Sequence, residues 1–208
     1  MRRILYLYAN LLAGFFDVSV GMLIAAVIET KFGISIAWRH LLIGGILAVL
    51  PDFDIVLPIL FHTVQGDHHQ TIFHRPIVLL PVSILIGYAF GGFLWALITG
   101  VCVLFHYIHD TVGGIAWLWP FSGKYVTFRG LENPSPEINH DTWIWENWLQ
   151  PSLLSISEIA LGSVALLFSF LIINQYLLGV MLFILLWLSV SIVWKLSKDG
   201  LVSIAAER

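Results

Sequence analysis

The residues best suited to chemistry are aspartates and histidines, which occur in four short stretches of an otherwise apolar chain. In sequence order they are Asp17, Asp52, Asp54, His69, His74, His106 and Asp110. Imidazole and carboxylate groups together suit zinc, iron or manganese better than magnesium or calcium. We therefore predict a divalent metal site, with zinc expected first and manganese or iron as alternatives. These side chains exceed the four ligands of one tetrahedral ion, so the pattern also allows two ions.

The spacings indicate which of these side chains can meet within one element. His106 and Asp110 are four residues apart in "VLFHYIHDTVGG" and share one face of a helix, with His109 at its border. His69 and His74, in "GDHHQTIFHRP", are five apart, so one regular helix would not point them the same way. A loop that leads into a helix could bring them together.

Each stretch also has a plainer interpretation. Asp52 and Asp54 follow Pro51, which ends a helix, and could be solvated turn residues. The "GDHHQTIFHRP" histidines could lie in a wet loop, and His106 could be a hydrogen-bonded core residue. Asp17 lies in a long apolar run, where an isolated charge costs about 2.5–3.5 kcal/mol on insertion scales. It needs a partner, either the shared metal or, in its protonated form, a neighbouring helix.

The composition indicates the environment of these residues. The 208-residue chain is 59 % hydrophobic and 11 % charged, whereas a soluble domain has about 25 % charged residues. Its apolar runs approach 20 residues, which predicts an integral membrane protein surrounded by lipid. The net charge of −3 is too small for nucleic acid or another strongly charged partner. The single cysteine, Cys102, excludes an intrachain disulfide.

The hydrophobic pattern predicts an all-α, polytopic transmembrane bundle of about six spans. They cover about residues 4–28, 38–51, 76–90, 93–112, 151–172 and 176–194. The first is expected to be retained rather than cleaved as a signal peptide. The second and third are short or broken, because fifteen helical residues extend only about 22 Å across a hydrocarbon layer of about 30 Å.

We divide the chain into three parts. Residues 1–128 form the core that carries the metal site, residues 129–150 form a cytoplasmic or interfacial loop, and residues 151–208 form two further spans and a tail. The loop contains Trp143, Trp145 and Trp148, which favours a position in the headgroup zone. Alternatively the loop is a lid over the site, and His140 or Asp141 could then reach the metal.

The lysines and arginines predict the orientation. With six spans, one side of the membrane receives Arg2, Arg3, Arg75, Lys124, Arg129, Lys195, Lys198 and Arg208, and the other only Lys31 and Arg39. The positive-inside rule therefore predicts cytoplasmic termini and a metal site at the cytoplasmic face of a prokaryotic inner membrane.

Several of these motifs, in this order, resemble the YdjM-like family, described as LexA-binding, inner-membrane-bound metal-dependent hydrolases. The similarity extends over about residues 17–128. The matching pairs are Asp52 and Asp54 in L-P-D-x-D, His69 and His74 in H-R-G-x-T-H-S, and His106 and Asp110 in H-x-x-x-D. Gly113, Gly114, Pro120 and Phe121 approximate a last element, G-x-x-x-x-x-P-F.

The sequence departs from the family pattern at three of these positions. Asp17 stands where the family has a first-span histidine, Gln70 replaces an arginine and Arg75 replaces a serine. The resemblance therefore implies a retained ligand set with an altered hydrogen-bonding position beside it.

The leading functional hypothesis is a metal-dependent hydrolase that acts on a lipid or a phosphoester. Metal-bound water would be the nucleophile, Asp54 the candidate general base and Arg75 the group that steadies an anionic substrate. Three alternatives stay open: a metal-binding or transport protein, a membrane regulator in which the metal only holds helices together, and, with less support, a haem protein. The sequence assigns no protein partner and no role to His62, His68, His109 or His140.

Overall fold

The computed structural model describes residues 2–35, 37–54, 71–132 and 140–205, and this part of the chain is almost entirely helical. The helices are α1 (Arg2–Ala13), α2 (Phe15–Lys31), α3 (Trp38–Ala48), α4 (Pro76–Asp110), α5 (His140–Asn147), α6 (Leu153–Ile172) and α7 (Tyr176–Ala205). Short 3₁₀ turns cover Leu50–Asp52 and Ile72–His74. Strands β1 (Tyr125–Thr127) and β2 (Gly130–Glu132) form a small antiparallel hairpin. The predicted class, an all-α transmembrane bundle, is confirmed.

Among the described residues, three helices are long and apolar enough to cross a membrane: Pro76–Asp110, Leu153–Ile172 and Tyr176–Lys198. A fourth span exists if α1 and α2 are counted together, although they meet at an angle of 43°. The predicted continuous first span is thus bent. The bend lies at Gly14, and glycine is a common site of helix kinks.

Helix α4 reverses direction at its middle, so its 35 residues form two antiparallel halves rather than one straight span. Gly91 and Gly92 have non-helical backbone angles, and Gly92 has a φ of +67°, which glycine adopts without strain. A Cβ built on Gly87 would lie 2.6 Å from Thr99 Oγ1, yet these residues would be about 18 Å apart along a straight helix. The two halves therefore pack antiparallel, and the predicted boundary between the third and fourth spans falls at this reversal.

Helices α2 and α3 form a second antiparallel pair, with their backbones in contact. A Cβ built on Gly44 would lie 2.5 Å from Gly21 O and 2.6 Å from Ala25 Cβ, and one built on Gly21 would lie 2.5 Å from Ala48 Cβ. Small residues four apart on each helix permit this approach, as in many membrane helix pairs. The start of α2 is thereby held beside the end of α3.

The remaining helices contribute to two further buried clusters. Met22 of α2, Leu41 of α3 and Phe170 of α6 share one buried cluster. Helices α1, α5 and α7 meet in another, where Trp148 is 1 % exposed and its carbonyl accepts a hydrogen bond from Trp194 Nε1 at 3.1 Å. Trp148 is therefore a buried side chain of this cluster, and the interfacial position of the tryptophan-rich segment stays a prediction.

Candidate metal centre

Four of the predicted ligands converge at one end of the bundle: Asp52, His74, His106 and Asp110. Each offers one ligand atom, and these atoms all lie within 4.8 Å of one another. Three separate segments contribute them: the turn after α3, the 3₁₀ turn before α4, and the last turns of α4. The reversal within α4 brings its own two ends together, and the α2–α3 contact adds the turn that carries Asp52.

Most of the histidine–carboxylate distances in this cluster are compatible with a tetrahedral ion. His74 Nε2 lies 3.4 Å from Asp52 Oδ1 and 3.5 Å from Asp110 Oδ2. His106 Nε2 lies 3.4 Å from Asp52 Oδ1 and 2.9 Å from Asp110 Oδ2. Ligands at about 2.0–2.2 Å from a tetrahedral zinc ion are about 3.3–3.6 Å from one another. Three of the four distances lie in this range, and the pairing of His106 with Asp110 confirms their predicted shared helix face.

Burial supports the same interpretation. The His74 and His106 side chains are 0 % and 1 % exposed. Neither ring nitrogen of His106 meets hydrogen-bond geometry, although both are buried. A buried polar atom without a hydrogen bond is costly, and a cation between the rings and the carboxylates would satisfy it. Asp52 is 29 % exposed, so the cluster is most open at this side chain.

The histidines and carboxylates of the cluster stabilise each other's charged forms. Burial by itself raises the pKa of the Asp52 carboxyl, but the adjacent His106 and His74 outweigh it, and the pKa is lowered overall. Burial likewise opposes a charged His74, whereas Asp110, Asp52 and Asp54 raise the pKa of His74 well above its ordinary value. A metal ion entering the cluster would replace the proton on His74, because an imidazole binds a metal in its neutral form.

Two further predicted ligands lie on the outer sides of the histidine rings. Asp54 Oδ2 is 3.4 Å from His74 Nδ1 and accepts a hydrogen bond from the Thr71 hydroxyl. Asp17 Oδ2 is 3.8 Å from His106 Nδ1. Both carboxylates therefore contact the ring nitrogen that faces away from the four-residue cluster.

The other sequence-derived candidates have different placements. Arg75 follows His74 directly, and its guanidinium lies 5.4 Å from the centroid of the Trp119 ring. His69, together with His62 and His68, lies outside the described residues.

Sequence reasoning did not identify the partners of Asp17. His109 Nδ1 lies 3.1 Å from both Asp17 carboxylate oxygens, and His109 Nε2 lies 3.5 Å from Glu158 Oε1. Phe16 packs edge-on against the His109 ring, and Phe105 stacks on it. The sequence spacing had placed His109 at the border of the helix face that carries His106 and Asp110. Glu158 could have been noticed as the one carboxylate in the apolar sequence of α6.

A second contact between a histidine and a buried carboxylate lies at the opposite end of α2. Glu29, which is 0 % exposed, contacts His40 Nδ1 with its two oxygens at 2.8 and 3.0 Å. This pair connects α2 to the start of α3. Like the Asp17–His109 pair, it joins a histidine to a buried carboxylate. Among the described residues, however, no further histidine, cysteine or carboxylate completes a metal-binding group there.

Comparison with known proteins identifies the family. A family model described as YdjM inner membrane protein matches residues 14–198. The match includes all four residues of the cluster, as well as Asp17, His109 and Glu158. Neither the curated proteins nor the solved structures contain a match to this chain.

Proposed function

The chain belongs to the YdjM inner membrane protein family, and from this premise we propose that it is a membrane-embedded, metal-dependent hydrolase. The observation that carries the proposal is the convergence of Asp52, His74, His106 and Asp110, whose ligand atoms lie within 4.8 Å of one another. Zinc is the proposed ion, because two imidazoles and two carboxylates are typical zinc ligands, and manganese or iron could also occupy such a site.

The residues have distinct proposed roles. A bound divalent ion would supply Lewis acidity, which activates water and polarises a phosphoryl or carbonyl oxygen. Asp52 is the most exposed of the four ligands and borders the side from which a substrate can approach. Arg75 would neutralise an anionic group there. Asp54 would orient the metal-binding His74, because its Oδ2 faces the His74 ring and the Thr71 hydroxyl.

The apolar surface beside the ligands supports an amphiphilic substrate. Phe53, next to Asp52, is 40 % exposed, and Ile72 and Phe73, next to His74, are 58 % and 40 % exposed. An acyl chain could contact these side chains while a charged head reaches the cluster. A lipid or lipid-linked phosphoester is therefore the proposed substrate. The positive-inside rule favours the cytoplasmic side of the inner membrane for this chemistry.

A structural metal is the second candidate. Four protein ligands complete a tetrahedral shell, and zinc sites of that kind are usually structural, whereas catalytic ones keep an open position. Ligands from three segments would also hold α3 and both halves of α4 together. In that case the protein is a membrane regulator or metal-binding protein without hydrolase activity.

One pair of histidine variants tests the metal proposal. We expect detergent-purified protein to carry about one equivalent of metal, His106→Gln to lose it, and His40→Gln to retain it. His40 is a matched control because it also pairs with a buried carboxylate, at the other end of α2. Elemental analysis gives the metal content, and a normal protein without metal would refute the proposal.

Hydrolysis assays then separate the two candidates. Metal-loaded protein should release phosphate from a phosphatidic acid or p-nitrophenyl phosphate probe, and Arg75→Ala should keep its metal but turn over more slowly. If the loaded protein hydrolyses no phosphomonoester, phosphodiester or lipid phosphate, and His106→Gln sharply lowers the melting temperature, the structural role is correct instead.

A further inference from the structure

We infer that Asp17 is a positioning residue for His106 rather than a metal ligand, and that His109 and Glu158 hold it in place. The inference rests on the proposed metal function of the four-residue cluster. The inference gives Asp17, a carboxylate inside the first span, a role at the site. Through Glu158 it also connects the site to α6, which carries none of the four ligands.

The two cluster histidines have the same arrangement. Each ring presents Nε2 to Asp52 and Asp110, and each presents Nδ1 to a carboxylate outside the cluster. For His74 this outer carboxylate is Asp54, at 3.4 Å, and for His106 it is Asp17, at 3.8 Å. Histidines that bind metals usually have an oxygen acceptor at the second ring nitrogen.

This arrangement selects a tautomer. If Nε2 of His106 binds a cation, the single hydrogen of the neutral imidazole must be on Nδ1. A buried carboxylate beside Nδ1 favours this tautomer. The 3.8 Å separation is longer than a hydrogen bond, but charge acts strongly over this distance where water is excluded. Because the two ring nitrogens point in divergent directions, Asp17 lies on the opposite side of the imidazole from the cluster.

Asp17 is itself held in a fixed position. Both of its oxygens lie 3.1 Å from His109 Nδ1, and the His109 ring packs against Phe16, at 4.9 Å, and Phe105, at 6.3 Å between centroids. Glu158 faces the other nitrogen of His109 at 3.5 Å. The carboxylate therefore has little freedom to turn towards the cluster, and its own position depends on contacts from α4 and α6.

Three carboxylate variants provide the test. We expect Asp17→Asn to bind Co²⁺ about 10–100-fold more weakly than the unmodified protein, because loss of an outer partner typically has this effect. Asp52→Asn should bind far more weakly, because it removes a ligand. Glu29→Gln is the control, since it changes a buried histidine-paired carboxylate on the same helix about 18 Å away, and its affinity should match that of the unmodified protein.

The visible absorption of bound Co²⁺ distinguishes a positioning residue from a ligand. Saturated Asp17→Asn should keep the tetrahedral Co²⁺ spectrum of the unmodified protein, whereas saturated Asp52→Asn should not. His109→Gln, which loosens Asp17 without touching His106, should lower the affinity less than Asp17→Asn. Far-UV circular dichroism of each variant verifies that the helices are intact.

Two results would overturn the inference alone: a Co²⁺ spectrum altered in Asp17→Asn as it is in Asp52→Asn, which would make Asp17 a ligand, or an unchanged affinity in Asp17→Asn. If the unmodified, folded protein binds no Co²⁺ or Zn²⁺, the proposed function and the inference both fail.

Discussion

The two nitrogens of the His74 ring face different aspartates, Asp52 and Asp54. These aspartates are only two residues apart in sequence, but their positions around the ring give them different roles. Asp52 lies 3.4 Å from Nε2 within the cluster, whereas Asp54 lies 3.4 Å from Nδ1 behind the ring. The side chain of Asp54 is also bonded to the Thr71 hydroxyl. Asp52 is thus suited to bind the ion and Asp54 to orient the histidine that binds it.

Isosteric changes at these aspartates should have unequal effects. We expect Asp54→Asn to keep a saturable metal site with an affinity about 10–100-fold lower, and Asp52→Asn to lose most of its metal on purification. Competition with a chromophoric chelator measures both. Glu146→Gln, a change at an exposed carboxylate of α5, should bind metal normally. Equal metal loss in Asp52→Asn and Asp54→Asn would contradict the assigned roles.

Local spacing predicted part of this site. The four-residue separation of His106 and Asp110 was sufficient to place them on one helix face. Spacing could not distinguish a carboxylate that binds the metal from one that contacts the outer nitrogen of a metal-binding histidine. Asp17 and Asp54 are also aspartates, and they lie in the same stretches of sequence as the candidate ligands. The Asp17–His109–Glu158 contacts join α2, α4 and α6, and such long-range pairs depend on helix packing that no short motif encodes.

At the scale of elements, close packing of α2 against α3 determines where Asp52 lies. The sequence predicted a boundary between two spans at residues 91–92, where α4 reverses, and it predicted the end of α3, because Pro51 follows. It did not predict the bend at Gly14, since a single glycine in an apolar stretch is compatible with a straight helix. The backbone contact at Gly21 and Gly44 is also visible only in the structure.

Alanine at Gly44 should disrupt this contact. Its Cβ would lie 2.5 Å from Gly21 O, a separation that forces the helices apart. We expect a destabilisation of about 1–3 kcal/mol from overpacking, which exceeds the gain in helix propensity of about 1 kcal/mol. Metal affinity should fall as well, because Asp52 moves relative to His106.

Thermal unfolding in detergent measures the stability of this variant. Gly123→Ala is its control, because a Cβ at Gly123 meets nothing within 4 Å. If Gly44→Ala and Gly123→Ala melt at the same temperature, the tight α2–α3 contact is not what stabilises the pair.

At the scale of the whole molecule, two antiparallel pairs return the chain to one end of the bundle. Helix α2 begins at that end, near Asp17, and α3 finishes there before Asp52. Helix α4 starts there, just after His74, and ends there, at Asp110. The cluster is a consequence of this topology, which explains why residues far apart in sequence converge. The Glu29–His40 pair marks the opposite end.

We predict that the end of the bundle with the metal cluster and the end with the Glu29–His40 pair face opposite sides of the membrane. Cysteine labelling can test this prediction cleanly, because the native Cys102 is fully buried and can be replaced by serine. Ser122→Cys lies in the loop that follows the cluster, and Ser35→Cys lies between α2 and α3. Neither change alters the lysine and arginine distribution on which the predicted orientation depends.

In intact cells with a permeable outer envelope, a membrane-impermeant maleimide should label Ser35→Cys but not Ser122→Cys. After the inner membrane is opened, Ser122→Cys should become reactive as well, which shows that the site is accessible in itself. Labelling of Ser122→Cys in intact cells would place the metal cluster on the outer face. The eight-to-two bias of lysine and arginine would then have failed as a guide, and a cytoplasmic substrate would be excluded.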